Sequence, residues 1–147
     1  MTDDDAQEEI VIRCKEITPR IIRFQQLLSE KLSDTRQLCF FKGSTEYYID
    51  AEQILFFETD GSSVTAHSTK EVFETRMKLY ELETVLGNGF MRISKSAIVN
   101  LRKIYSISRN VTASSAIEFA GTHKQVYVSR AYYKILKERL EEMRFIK

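Results

Sequence analysis

The 147-residue chain has no tryptophan, one proline (Pro19), two cysteines, two histidines and five glycines. A single proline excludes a proline-rich linker or polyproline segment. Cys14 and Cys39 stand far apart in no metal-type spacing, which excludes a disulfide framework or a zinc ribbon and reads as reduced, buried thiols. His67 and His123 form no H-x-x-x-H pair; the first reads as a surface side chain, the second as a loop residue beside Lys124 within reach of a phosphate. There is no G-x-S-x-G elbow, and Gly87-Asn88-Gly89 is a turn rather than a phosphate cradle. The chain therefore reads as a non-enzyme with no cofactor and no metal. No apolar run approaches the ~20 residues that span a bilayer. The acidic start, MTDDDAQEE, has no apolar core of a signal peptide, so the expectation is a cytoplasmic protein that is not membrane-inserted.

What is present describes a globular chain: 43% hydrophobic, 29% charged, net charge +1. The charge is unevenly placed. Residues 88–147 carry 12 basic and 4 acidic side chains, whereas residues 37–87 carry 4 basic and 9 acidic. A basic C-terminal portion on a near-neutral chain suggests a local anion-binding face.

Residues 1–36 read as a strand-helix extension. Ile10-Val11-Ile12 is a β-branched run, Thr18-Pro19 opens a helix, and Ile21, Phe24, Leu28 and Leu32 make one apolar stripe. That stripe either docks on its own domain or pairs with a second chain, and a dimer contact is the preferred reading. Residues 37–74 read as β-structure, with strands at 37–41, 46–49, 54–59 and 64–67 and a hairpin at Asp60-Gly61. The apolar density of 54–59 predicts burial on both faces. Thr75 is expected to cap a helix through Leu86, with Leu79, Leu82 and Leu86 as its stripe, Met77 and Tyr80 alongside, and Gly87 as its C-cap. Strands follow at 101–108, 115–119 and 124–128. A final helix starts after Ser129 and buries Tyr132, Leu136, Leu140 and Met143.

The chain is organised around residues 88–104, NGFMRISKSAIVNLRKI. Asn88-Gly89 is a turn signal, Phe90 and Ile93 look core-facing with Arg92 between them, Ser94-Lys95-Ser96 is too polar for core, and Ala97-Ile98-Val99 is a buried run closed by Asn100. A polar knuckle pinned between apolar anchors presents donors to an anion. This stretch resembles the signature of the LytTR DNA-binding domain of bacterial transcription regulators. Ile54-Leu55-Phe56-Phe57-Glu58 and the strand-to-helix junction Val126-Tyr127-Val128-Ser129-Arg130 fit the same pattern, so three ordered motifs cover roughly residues 37–140.

The resemblance implies a mostly antiparallel β fold of small sheets with short helices over residues 37–147. It also implies sequence-specific binding of double-stranded DNA by loops, on paired repeats occupied by two protomers. Residues 1–36 are too short for the receiver domain of many such regulators, so the chain resembles a stand-alone member, a type controlled in some cases by a membrane protein. DNA contacts are implied at Ser94, Lys95 and Ser96 of the knuckle, at Arg130, and at Ser62 and Ser63 of the hairpin after the 54–58 strand. That hairpin has no basic or histidine residue at its tip, which leaves its serines to phosphate. Arg92 either anchors a phosphate or pairs with a carboxylate to brace the knuckle, and Arg102 is an extra phosphate contact. The rival reading is a protein-interaction module that has lost DNA binding. An RNA-binding role is weaker, for want of an exposed aromatic pair on a strand.

Overall fold

A computed structural model describes residues 37–145; the readings made for residues 1–36, Cys14 among them, lie outside the described residues. Ten strands and two helices are present in this part. In chain order they are β1 (Gln37–Lys42), β2 (Thr45–Asp50), β3 (Phe56–Thr59), β4 (Val64–His67), β5 (Val72–Thr75), α1 (Leu79–Leu86), β6 (Phe90–Ser94), β7 (Ala97–Asn100), β8 (Ile104–Ser108), β9 (Ser115–Phe119), β10 (Gln125–Val128) and α2 (Arg130–Phe145). The fold is mostly β and its sheets are antiparallel. One sheet runs β2-β1-β5-β4-β3-β7-β6 and the other β10-β9-β8. The β1–β2 ribbon joins the larger sheet through one bridge, Phe41 opposite Glu74.

Two cores lie on opposite faces of the larger sheet. Phe57, Ile98 and Phe90 face one of them, with Phe40, Phe73 and the α1 residues Leu79 and Leu82. Phe56, Val99, Met91 and Ile93 face the other, with Ile117, Phe119, Val126 and Val128 of the smaller sheet and Leu136 of α2. Alternation in a strand sends successive side chains to opposite faces, so β7 up to Asn100 and the run 54–57, which feed both cores, are apolar. The burial on both faces expected of residues 54–59 is found for 54–57, whereas Glu58 and Thr59 are only part-buried and the regular ladder begins at Phe56. Tyr132, Leu140 and Met143 pack at the edge of the second core, the stripe expected of the last helix.

Several expectations are corrected. Thr75 ends β5, opposite Val64, and its hydroxyl accepts the Met77 amide at 3.2 Å, so α1 begins at Leu79 rather than after Thr75. The Glu81 carboxylate accepts the Lys78 amide at 2.8 Å and satisfies one donor at that helix start. Tyr80 is exposed instead of lying along the apolar stripe. Gly87 takes the positive φ (+80°) at the α1 C-cap, whereas Gly89 lies under the end of the Arg102 side chain: a Cβ there would sit 2.7 Å from a guanidinium nitrogen, which would have to shift. Leu101–Lys103 forms a 3-10 turn before β8 begins. His67 is half-buried, not a surface residue. It stacks on Phe56 at 4.4 Å and lies 3.2 Å from Glu58, and burial, with Lys124 nearby, pushes its pKa down to about 4. Burial also raises Glu58, and the His67 ring nitrogen that meets it lies 3.2 Å from the Thr65 hydroxyl as well. Lys124 is a strap rather than a free cation, donating to the Ser68 and Glu71 carbonyls at 2.8 and 2.7 Å. Cys39 is a half-buried free thiol.

Asn100 is the fully buried polar residue at the centre. Its side-chain amide donates to the carbonyls of Ile54 (2.9 Å) and Glu52 (3.2 Å), and its side-chain oxygen accepts the Arg102 amide (3.1 Å). Asn100→Ala strands two buried carbonyls and an amide. Urea unfolding should show a loss of about 2–4 kcal/mol, from unmade buried hydrogen bonds together with the cavity. A loss below about 0.5 kcal/mol would show that water replaces the amide without cost.

Candidate nucleic-acid interface

The knuckle is the two-residue turn Lys95-Ser96 between β6 and β7, with Ser94 opposite Ala97 and a bulge between Arg92 and Ser94. A bulge re-aims the residues beyond it, here Ser94 and Lys95. Two side chains hold the turn. Ser94 Oγ accepts the Ser96 amide at 3.1 Å and lies 3.3 Å from Ser96 Oγ. Arg92 donates to the carbonyls of Ser94 (2.9 Å) and Lys95 (2.8 Å) and pairs with Glu83 of α1 at 3.1 Å. Between the two readings of Arg92, this geometry is that of a brace. The Lys95 ammonium is exposed and has no hydrogen bond or ion pair among the described residues.

Two neighbouring segments reach the same end of the sheet. The Thr59 amide donates to Ser96 O at 2.9 Å, which sets the β3–β4 hairpin beside the knuckle. The Ser129 amide donates to Ile93 O, also at 2.9 Å, which seats the start of α2 against the strand that enters the knuckle. Arg130 follows immediately, exposed and with no hydrogen bond or ion pair among the described residues. Glu118 of β9, an acidic residue that an intramolecular pair with Arg130 would need, accepts instead from Ser106 and Gln125.

The hairpin is chemically different from its neighbours. Asp60 accepts the Ser62 amide (2.9 Å), the Ser62 hydroxyl (2.8 Å) and the Ser63 amide (3.2 Å). The donors that an incoming anion would need already hold the chain's own carboxylate. Arg102 is not brought to this edge. It follows β7 at the end opposite the knuckle and pairs with Glu52 at 2.6 Å, packed over Gly89.

Sequence reasoning missed a further pair. Thr75 lies opposite Val64, so the segment after β5 emerges beside the hairpin. Arg76 and Lys78 thereby line an open groove of about 540 Å³ with Thr59, Ser62, Arg92 and Lys95. The signal available in the sequence was a pair of basic residues in a register-matched loop, obscured by assigning 76–78 to a helix.

A β scaffold that brings exposed, unpaired cations to loops at one sheet edge has the chemistry to meet a polyanion. Residues 44–141 match the model of the LytTr DNA-binding domain, and the chain belongs to that family. It is similar to an uncharacterised HTH-type transcriptional regulator of Staphylococcus aureus strain NCTC 8325 / PS 47, 34% identical over 94 residues that make up 64% of this chain and 63% of that protein. The same description is carried by a relative in the bovine strain RF122 / ET3-1, 35% identical over 100 residues, 63% of this chain and 67% of that one. The match to the first of these therefore spans less than two thirds of that relative's length. The fold is similar to the LytTr DNA-binding domain of a protein described as a methyl-accepting/DNA response regulator from Bacillus cereus, with TM-score 0.65 at 17% identity, over 71% of this chain and 96% of that one. Among the described residues here no two helices are consecutive, since β6 to β10 separate α1 from α2.

The Asp60 contacts hold its carboxyl down at about 2, Ser62 being the main cause. A carboxylate depressed below its unfolded value stabilises the fold above that value, and the contribution disappears as pH falls through about 2. Carboxyl carbon shifts followed by NMR should place Asp60 well below the ordinary 3.8. Titration at the ordinary value would mean that the hairpin donors are open to solvent.

Proposed function

We propose that the chain reads specific sequences in double-stranded DNA through loops, with Lys95 and Arg130 as the base-reading side chains, and thereby regulates transcription. The observation that carries this is the meeting of two exposed cations, free of partners among the described residues, at one sheet edge. Arg130 also sits in the first turn of α2, where the helix dipole disfavours a positive charge. A locally unfavourable residue points to another use, and a guanine edge or a phosphate suits bidentate arginine. Ser94 and Ser96 shape the turn and offer hydroxyls to phosphate, and Arg92 positions both. We further propose that it works in the cytoplasm as a homodimer on paired repeats, with residues 1–36 as the self-association element and a membrane protein as regulator.

A protein-interaction module is the second reading. It is favoured by Tyr105 and Tyr127, both exposed on the outer strands of the smaller sheet, strand aromatics that the sequence reading does not expect. Steep salt dependence on duplex DNA separates the two, because phosphate contacts release counterions.

Selection from a random duplex pool would supply cognate DNA. On it, Lys95→Ala should erase about 1–3 kcal/mol of discrimination against scrambled duplex while weakening scrambled binding little. Arg130→Ala should lower specific affinity by roughly tenfold or more without lowering the melting temperature. Equal losses on cognate and scrambled duplex would reduce Lys95 to a phosphate contact, and a fall in melting temperature at constant affinity would make Arg130 structural. Deleting residues 1–36 should leave a folded β domain that sediments with more monomer; an unfolded product would count that segment as core.

A further inference from the structure

We infer that the linker between β5 and α1, through Arg76 and Lys78, makes the charged phosphate contact beside the β3–β4 hairpin, which carries no cation of its own. The inference rests on the DNA reading above and assigns the groove beside the knuckle to the sugar-phosphate backbone of the bound duplex.

Three observations converge. The first is occupancy. Asp60 takes the Ser62 and Ser63 amides and the Ser62 hydroxyl, which leaves the neutral Ser63 hydroxyl as the hairpin's open donor, and its carboxylate adds a negative charge at the tip, which repels phosphate. The second is placement. Pairing of Val64 with Thr75 carries the chain out of β5 next to that hairpin, and Arg76 and Lys78 line the groove that continues to Lys95. The third is the state of the two cations. The Arg76 guanidinium lies over the Phe41 ring at 4.1 Å, which limits its rotamers while leaving its in-plane N–H groups for an acceptor. Neither Arg76 nor Lys78 makes a side-chain hydrogen bond or ion pair among the described residues, and both are exposed. Glu74 is the carboxylate that shares the groove, and it too is without an ion pair among the described residues. With Lys95 on the far wall and Arg92 half-buried at the base, four basic side chains against one acidic one line the space. The charge complementarity is to a polyanion. Contacts of this kind position a duplex without reading its sequence.

The test uses Arg76→Gln, Lys78→Gln and their combination against a random-sequence duplex and the selected one, with the logarithm of affinity followed against the logarithm of salt. Each contact removed should flatten the slope by about 0.9, so the combined variant should lose close to twice that. Both duplexes should weaken by the same factor, leaving the preference between them unchanged. Ser62→Ala combined with Ser63→Ala should leave the affinity for both duplexes at its wild-type value. Because Arg76 also packs on Phe41, Lys78→Gln alone, at an exposed position, should still flatten the slope by about 0.9. A folded combined variant with the wild-type slope and intact sequence preference overturns the inference and leaves the DNA reading standing. A serine variant that loses affinity for both duplexes as much as the combined Arg76 and Lys78 variant does gives the contact back to the hairpin and also overturns it. A wild-type protein that binds neither duplex removes both.

Discussion

The structure depends on the burial of β7 on both faces. Ala97, Ile98, Val99 and Asn100 are all buried, and β7 pairs with β3 on one side and β6 on the other. A strand so enclosed has no water to satisfy its backbone, so both its hydrogen-bonding edges must be filled by neighbours. Nor can it carry a polar side chain without a partner. Asn100 meets that condition by bonding the two carbonyls just before β3. At the other end the chain must turn back at once, and it does so with two polar residues that cannot enter either core. The exposed knuckle follows directly from the buried strand.

The same constraint explains what could be read from the sequence. β3 and β7 were legible because apolar residues with no alternation have few structural explanations. The last helix was legible from its apolar stripe. Local chemistry that depends on partners was not. Thr75 followed by apolar residues resembles a helix cap, and only its pairing with Val64 makes it the end of a strand. Gly89 looks like a turn glycine, yet its lack of a side chain serves Arg102, a neighbour through space. His67 alternates correctly for a surface position; what buries it is Phe56 together with the second sheet, and no local pattern reports that.

The candidate site divides in the same way. The knuckle and Arg130 are short linear motifs whose positions follow from the strands around them. Arg92 and Arg102 look alike on either side of β7, and both satisfy backbone or carboxylate groups within the fold. Charge counting alone treats them as equivalent to Lys95. Asp60 shows the opposite effect: it is an acidic residue at the proposed contact edge, and its carboxylate neutralises hairpin amides that would otherwise attract any small anion.

One backbone bond has a wider consequence. The Ser129 amide on the Ile93 carbonyl sets how far Arg130 stands from Lys95, and no side chain takes part in it. Distance and identity are therefore separable. On the proposed reading, substitution at either position changes the base contacted while the ruler between the two contacts stays the same. A scaffold of this kind can diversify its target sites one position at a time without refolding the surface that presents them.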